Sequence, residues 1–214
     1  MNYYGFYIRP NEFMAKGTRG YFGFNFVSAT QSGKLHFLHI LKNLKEDTSI
    51  VDLEDAKNKA KDVIVNFLIE RLQLENNRRE IVCMIPRSKV DFNDNQQYFK
   101  KAVLEAIQET GYENGVDCIK RIKNVRTTHL HKQVYWFDNQ GDEPYPGITK
   151  DTCKINHLQI KGRKIILIDD IYTLGANTDE DCIDALYGSG AKYVEFFALG
   201  RTEKNGNTKV EEVF

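Results

Sequence analysis

The sequence predicts an α/β fold, a parallel-centred sheet with helices on both faces. Three observations predict it. Two short apolar runs, Ile81-Val82-Cys83-Met84-Ile85 and Ile165-Ile166-Leu167-Ile168, have the length and composition of strands buried on both sides. Amphipathic stretches lie between such runs. Residues 161–198 read as a complete strand, loop, helix and strand, the crossover unit of parallel sheets.

The first 40 residues are rich in aromatics and glycine. Tyr3, Tyr4, Phe6 and Tyr7, then Tyr21, Phe22, Phe24 and Phe26, predict two or three strands around a glycine-containing turn at residues 16–20. Their rings suit core packing or stacking on a planar ligand. His36 and His39 are three apart, a spacing that can put two metal ligands on one helix face. No third ligand is suggested nearby, so ordinary surface or part-buried histidines are the better reading. Residues 52–75 carry Leu53, Ala56, Ala60, Val63, Ile64, Phe67, Leu68 and Leu72 at spacings of three and four, which predicts a helix packed on a sheet.

After the strand at 81–85 comes Pro86-Arg87-Ser88-Lys89, two cations and a hydroxyl at a carboxyl end. Such a loop suits a phosphate group, and it is also an ordinary polar strand end. Residues 98–110 predict a helix with Phe99, Ala102, Val103, Ala106 and Ile107 inward, ended by Gly111. A strand follows at 116–122. Residues 123–159 show little periodicity and carry Arg126, His129, His131 and Lys132. A loop this long reads as a functional lid or as a solvated mobile segment.

In the crossover, the apolar strand ends at Asp169 and Asp170. Residues 171–178 form a tight loop, and Cys182, Ala185 and Leu186 mark a helix face that Gly188-Ser189-Gly190 ends. A second apolar strand covers residues 193–199. Ligands of such sheets bind at the carboxyl ends of the strands. Gly175 permits a sharp turn, and amides from Thr173 to Thr178 can converge on a phosphate with help from the helix N-terminus. Carboxylates do not bind phosphate directly. They suit ribose hydroxyls or magnesium. A sugar phosphate satisfies both halves of the motif, and a generic crossover loop with two acids explains the same residues without a ligand.

Length and composition bound the answer. The chain has 214 residues, enough for one domain with a sizeable core. Thirty basic residues balance 30 acidic ones, so no global charge argues for nucleic acid or a membrane surface. No apolar run approaches the roughly 20 residues that span a bilayer. The N-terminus lacks the basic and apolar regions of a signal peptide. Cys83, Cys118, Cys153 and Cys182 are widely scattered, which predicts buried free thiols in a reducing cytoplasm.

The stretch Ile-Leu-Ile-Asp-Asp-Ile-Tyr-Thr-Leu-Gly-Ala-Asn-Thr resembles the signature of type I phosphoribosyltransferases: four apolar residues, two acids, two variable residues, Thr-Thr-Gly, a small residue, then Ser or Thr. Asp169, Asp170, Thr173, Gly175 and Ala176 match. Leu174 replaces the second threonine, and Asn177 stands where Ser or Thr is usual, with Thr178 next. Gly-Ser-Gly-Ala-Lys-Tyr-Val resembles the lead into the following strand. The Arg/Thr/Gln segment around Arg126 and Gln133 faintly resembles the competence-protein ComF branch, although the closely spaced cysteines of that branch are absent.

The resemblance implies a single type I phosphoribosyltransferase-like domain over residues 1–214. Residues 1–45 would be a small variable hood, 46–200 the α/β core and 201–214 a tail. It implies transfer of 5-phosphoribosyl from phosphoribosyl pyrophosphate (PRPP) to an acceptor nitrogen, with magnesium and release of pyrophosphate. Asp169 and Asp170 would hold the ribose hydroxyls and, directly or indirectly, magnesium. Residues 173–178 would hold the 5′-phosphate, and Arg87, Ser88 and Lys89 the pyrophosphate. Arg126 and His129, in a closing lid, would stabilise the leaving group. Thr173 speaks against the purine-salvage members that carry an aspartate there. A cytoplasmic homodimer acting on a nucleobase-like acceptor completes the expectation. Two other classes stay open: a PRPP- or nucleotide-sensing regulator without catalysis, and an accessory protein of a DNA-uptake or defence system, the only reading that brings in nucleic acid.

Overall fold

A computed structural model describes residues 3–26, 36–42, 47–75, 80–127 and 152–202. Its centre is a six-stranded sheet in the order β1-β2-β8-β7-β3-β4. The strands are β1 (Tyr4–Ile8), β2 (Thr18–Phe26), β3 (Ile81–Met84), β4 (Glu113–Asn114), β7 (Lys164–Tyr172) and β8 (Tyr193–Thr202). A separate antiparallel pair joins β5 (Ile119–Arg121) to β6 (Cys153–Ile155). The helices are α1 (His36–Lys42), α2 (Ile50–Glu75), α3 (Tyr98–Thr110), the single turn α4 (His157–Ile160) and α5 (Thr178–Gly188). From β2 to β4 all pairings are parallel, and only β1 runs antiparallel.

The sheet is covered on both faces, as its strand composition requires. Val82, Met84, Ile166, Ile168, Phe197 and Leu199 pack under α1, α2 and α3. Their sequence neighbours Ile81, Cys83, Ile165, Leu167, Phe196 and Ala198 pack on the other side with α4 and α5. This is the period-two alternation of a strand, with both sets apolar. Helix α2 begins two residues earlier than its apolar stripe suggests. The Ser49 hydroxyl accepts from the Asp52 amide at 3.1 Å and so caps it. Helix α3 ends on Gly111 at φ 75°, with its amide on the Ile107 carbonyl at 2.9 Å.

In residues 1–45, expected to form the hood, strands β1 and β2 continue the sheet beyond β8. Three expectations change. The expected turn at 16–20 lies earlier, because β2 starts at Thr18 and Gly20 is inside it. A Cβ at Gly20 would stand 2.6 Å from the Phe6 ring, so the missing side chain makes room for an aromatic. Strand β7 does not stop at the aspartates but pairs with β8 through Tyr172, since Ile171 and Tyr172 are still buried. The interval 123–159 is not wholly irregular: β6 and most of α4 fall within it. His129, His131 and Lys132 lie outside the described residues, as does the end of the tail from residue 203.

One charged pair is embedded in this framework. Arg71 of α2 donates to Glu195 of β8 at 2.8 Å, both side chains less than a tenth exposed, and the guanidinium also lies 5.2 Å from the Tyr21 ring centre. Removing one partner strands the other charge. Glu195→Ala should therefore cost about 3–5 kcal/mol, while Arg71→Met with Glu195→Leu should recover most of it. Urea denaturation of the two variants measures the difference.

Candidate functional site

The carboxyl edge of the parallel strands gathers the predicted site. The ladder between β3 and β7 is prolonged by the Ile85 amide, which donates to the Ile168 carbonyl at 3.0 Å. Residues 86–89 therefore leave the sheet beside Asp169 and Asp170. Strand β7 lies between β3 and β8, and α5 connects it in a parallel crossover to β8. The crossover that the sequence predicts is present, with its loop at this edge.

The loop owes its shape to two left-handed residues. Gly175 has φ 88° and Asn177 has φ 59°. Asparagine is among the few side chains that tolerate this region, which gives the position a backbone reason to carry Asn. The Asn177 side-chain Nδ2 donates to the Gly175 carbonyl at 3.2 Å, and its Oδ1 accepts from Asn11 at 3.3 Å. The Ala176 amide is spent on the Thr173 carbonyl at 3.0 Å. No backbone carbonyl among the described residues accepts from the amides of Leu174, Gly175 or Asn177. The Thr173 hydroxyl pairs with that of Thr202 at 2.8 Å. The buried Thr178 hydroxyl has no partner among the described residues.

The two aspartates take different surroundings. Face alternation along β7 slips by one residue between Ile168 and Ile171. Ile171 joins the core of Ile166 and Ile168, and Tyr172 that of Ile165 and Leu167. The acids occupy the two positions of the slip. Asp169 shares a hydrogen bond with Asp179 of α5. Burial first, and then the Asp170 charge, push the Asp169 carboxyl up to about 7, while Lys42 pulls the other way. Burial also raises Asp179 well above the carboxylate range, with Asp169 adding to it. Two such acids hold one proton between them more easily than two charges. The Asp170 charge acts instead on the Arg87 guanidinium and on His39, whose own pKa is lowered by burial and then by Lys42 and His36.

Of the three acids in the first turn of α5, Asp179, Glu180 and Asp181, the first two are buried within the fold. Asp179 is 2% exposed and turned to Asp169. Glu180 is 1% exposed and accepts from the Tyr172 hydroxyl at 2.8 Å.

Arg87 has structural work. It donates to the Gln96 carbonyl and, at 2.7 Å, to the Lys42 carbonyl that ends α1, and its guanidinium stacks 4.2 Å over Phe92. Burial lowers its pKa. The Ser88 hydroxyl meets that of Thr127 at 3.0 Å, and the Val125 amide donates to the Ser88 carbonyl at 2.9 Å. Asn124 accepts from the Val90 amide at 2.7 Å, and Arg121 donates to the Arg87 carbonyl at 3.0 Å. These bonds bring the segment of Arg126 against the loop of Ser88 and Lys89, two pieces that sequence placed apart. Sequence reading missed α1 as a neighbour of the site and Asp179 as a partner of Asp169. A histidine and a lysine one turn apart, and an acid opening a helix, were the only signals available.

As for magnesium, no group of three His, Cys, Asp or Glu among the described residues is placed to hold a metal ion. Asp170, with Asp169 beside it, offers the one or two hard oxygens that magnesium takes when a bound phosphate supplies others. No helix among the described residues is long and apolar enough to cross a membrane. All four cysteines are free and buried, as expected.

No protein-family model matches this chain, and neither does any curated protein. Among solved structures, adenine phosphoribosyltransferase from Leishmania donovani matches 91% of this chain and 92% of its own, at 12% identity and a TM-score of 0.40.

Three outcomes are expected. Gly175 has open space around its Cα, so Gly175→Val would suffer from its backbone angle and not from a clash; about 1–2 kcal/mol should be lost in thermal unfolding. Arg87→Ala, losing two charge-assisted bonds, should cost about 1.5–3 kcal/mol in urea. For the acid pair, the folded pKa of Asp169 lies above the unfolded value of about 3.9. The native state then binds more protons, so its contribution is fully present below that value and is lost as pH rises through about 7. Asp169→Asn should remove this loss and flatten stability against pH between about 4 and 7, measured by thermal melts across that range.

Proposed function

We propose that this chain is a phosphoribosyltransferase that uses PRPP and magnesium to place 5-phosphoribosyl on an acceptor nitrogen and release pyrophosphate. One observation carries the reading. A glycine and an asparagine in left-handed conformation turn the chain from β7 into α5, directly after two aspartates, at the carboxyl edge of a central parallel strand and beside a basic loop. The motif resembles the family's signature, and its surroundings suit the chemistry.

In this reading the loop amides at 174–177 and the start of α5 take the 5′-phosphate. Asp170 orients the ribose hydroxyls, with Asp169 held beside it by Asp179. Lys89 and Arg126 face the pyrophosphate, whose charge grows as the glycosidic bond breaks. Arg87 sets the shape of that loop by tying it to α1. Magnesium, when bound, neutralises charge on the leaving group. A dimer, and a nucleobase-like acceptor, belong to the same proposal.

A specific observation also favours a second reading, a PRPP- or nucleotide-sensing protein without turnover. Arg87 already spends two donors on carbonyls, and Asp169 is engaged with a second acid.

Pyrophosphate release from PRPP and magnesium across a panel of nucleobases separates the two. Turnover with one base, lowered roughly 100-fold in Asp170→Asn, supports the enzyme. A PRPP-dependent rise in melting temperature without release supports the sensor. Calorimetry showing neither PRPP nor ribose-5-phosphate binding would sink both.

A further inference from the structure

The four cysteines, scattered through 100 residues of sequence, all lie in the core between the sheet and α4–α5. Two of them touch. Cys83 is on β3, and Cys118 ends the turn that leads to β5. The Gly115 amide donates to the Val82 carbonyl at 2.9 Å, which carries the β3–β4 pairing one residue further. The Cys118 amide then donates to the Gly115 carbonyl at 2.9 Å and closes a turn against Cys83. Gly115 makes the approach feasible: a Cβ there would stand 2.9 Å from the Cys83 Sγ and 2.5 Å from Ile81. The two thiols share a hydrogen bond, and the Cys118 thiol donates onward to Gln159 Oε1 at 3.3 Å.

The pair is chemically unequal. The hydrogen bond from Cys83 draws the Cys118 thiol below its ordinary range, while the same contact and then burial push Cys83 well above it. Gln159, the cover over Cys118, is itself an exposed side chain of the single-turn α4. A buried thiol capped by one exposed side chain and touching a second thiol has the layout of a reactive cysteine with its resolving partner.

We propose that Cys83 and Cys118 form a reversible redox site in which a small peroxide converts the thiol pair to a disulfide. The Cys118 sulfur attacks one peroxide oxygen, the O–O bond breaks, and a sulfenic acid and one water result. The Cys83 sulfur then attacks the Cys118 sulfur, the S–O bond breaks and a second water leaves. The two thiols give up two electrons and two protons, and one hydrogen peroxide becomes two waters. The bond would clamp β3 to the segment of Arg121, which holds the Arg87 carbonyl, so oxidation reaches the basic loop through two short connections. This inference stands whether or not the chain uses PRPP.

The full-length folded chain is treated with stoichiometric hydrogen peroxide, its remaining thiols are alkylated, and its peptides are mapped by mass spectrometry. A Cys83–Cys118 crosslink that dithiothreitol reverses supports the proposal. Cys83→Ala should instead trap Cys118 as a dimedone adduct, and Cys118→Ser should give neither product. A crosslink confined to other pairs, or thiols that stay reduced until the chain is unfolded in urea, would overturn it. The wild-type map decides the question even if a variant fails to fold.

Discussion

The structure depends on burying β7 from every side. Strands β3 and β8 take its two edges, α1–α3 cover one face and α4–α5 the other. Ile165, Ile166, Leu167 and Ile168 are at most 1% exposed. Burying each of these side chains is worth roughly 1.5–3 kcal/mol. That constraint excludes polar residues from the strand until its carboxyl edge, where the layers part. The first positions able to hold charge are Asp169 and Asp170. The proposed site sits at this edge because the centre of β7 has no room for charge.

The same constraint explains why the acids behave differently. A carboxylate leaving a dry core must find charge compensation or a proton. Asp169 meets Asp179 and keeps a proton in common with it, while Asp170 is in the field of Arg87 and His39. Ribose hydroxyls and a magnesium ion both ask for carboxylate oxygens not already engaged with a second acid, so Asp170 carries more of the proposed binding than Asp169.

Periodicity and motif spacing made much of this legible. The stripe from Leu53 to Leu72 and the runs at 81–85 and 165–168 name the elements because each must bury a face that its spacing defines. A loop was legible there because Gly175 punctuates it, but it spans 173–177 and not 171–178, since β7 runs on through Tyr172. What sequence could not show were contacts between distant segments. Nothing local in Arg87 reveals that Lys42 and Gln96 will take its donors, and a basic loop reads alike whether its arginine faces a ligand or a helix end. Strands β1 and β2 were recognised as strands, but sheet membership is decided by pairing with β8, 170 or more residues later. Strand β6 is three residues long and leaves no period to detect.

The departures of the loop from the phosphoribosyltransferase signature it resembles have physical content of their own. Asn177 occupies a left-handed position, which serine and threonine enter less readily, so the change follows from backbone geometry. Its side chain folds back on Gly175 and reaches Asn11, bracing the turn in place of a hydroxyl aimed at phosphate. Leu174 is 44% exposed and supports no core. In the proposed reading, a loop shaped this way grips the 5′-phosphate through main-chain amides and the start of α5 more than through side-chain hydroxyls. Main-chain grip survives side-chain substitution as long as φ at 175 and 177 is kept. The two acids behind it, Asp179 and Glu180, point inward to Asp169 and Tyr172, so the helix start keeps negative side chains close to its dipole without placing them over the loop.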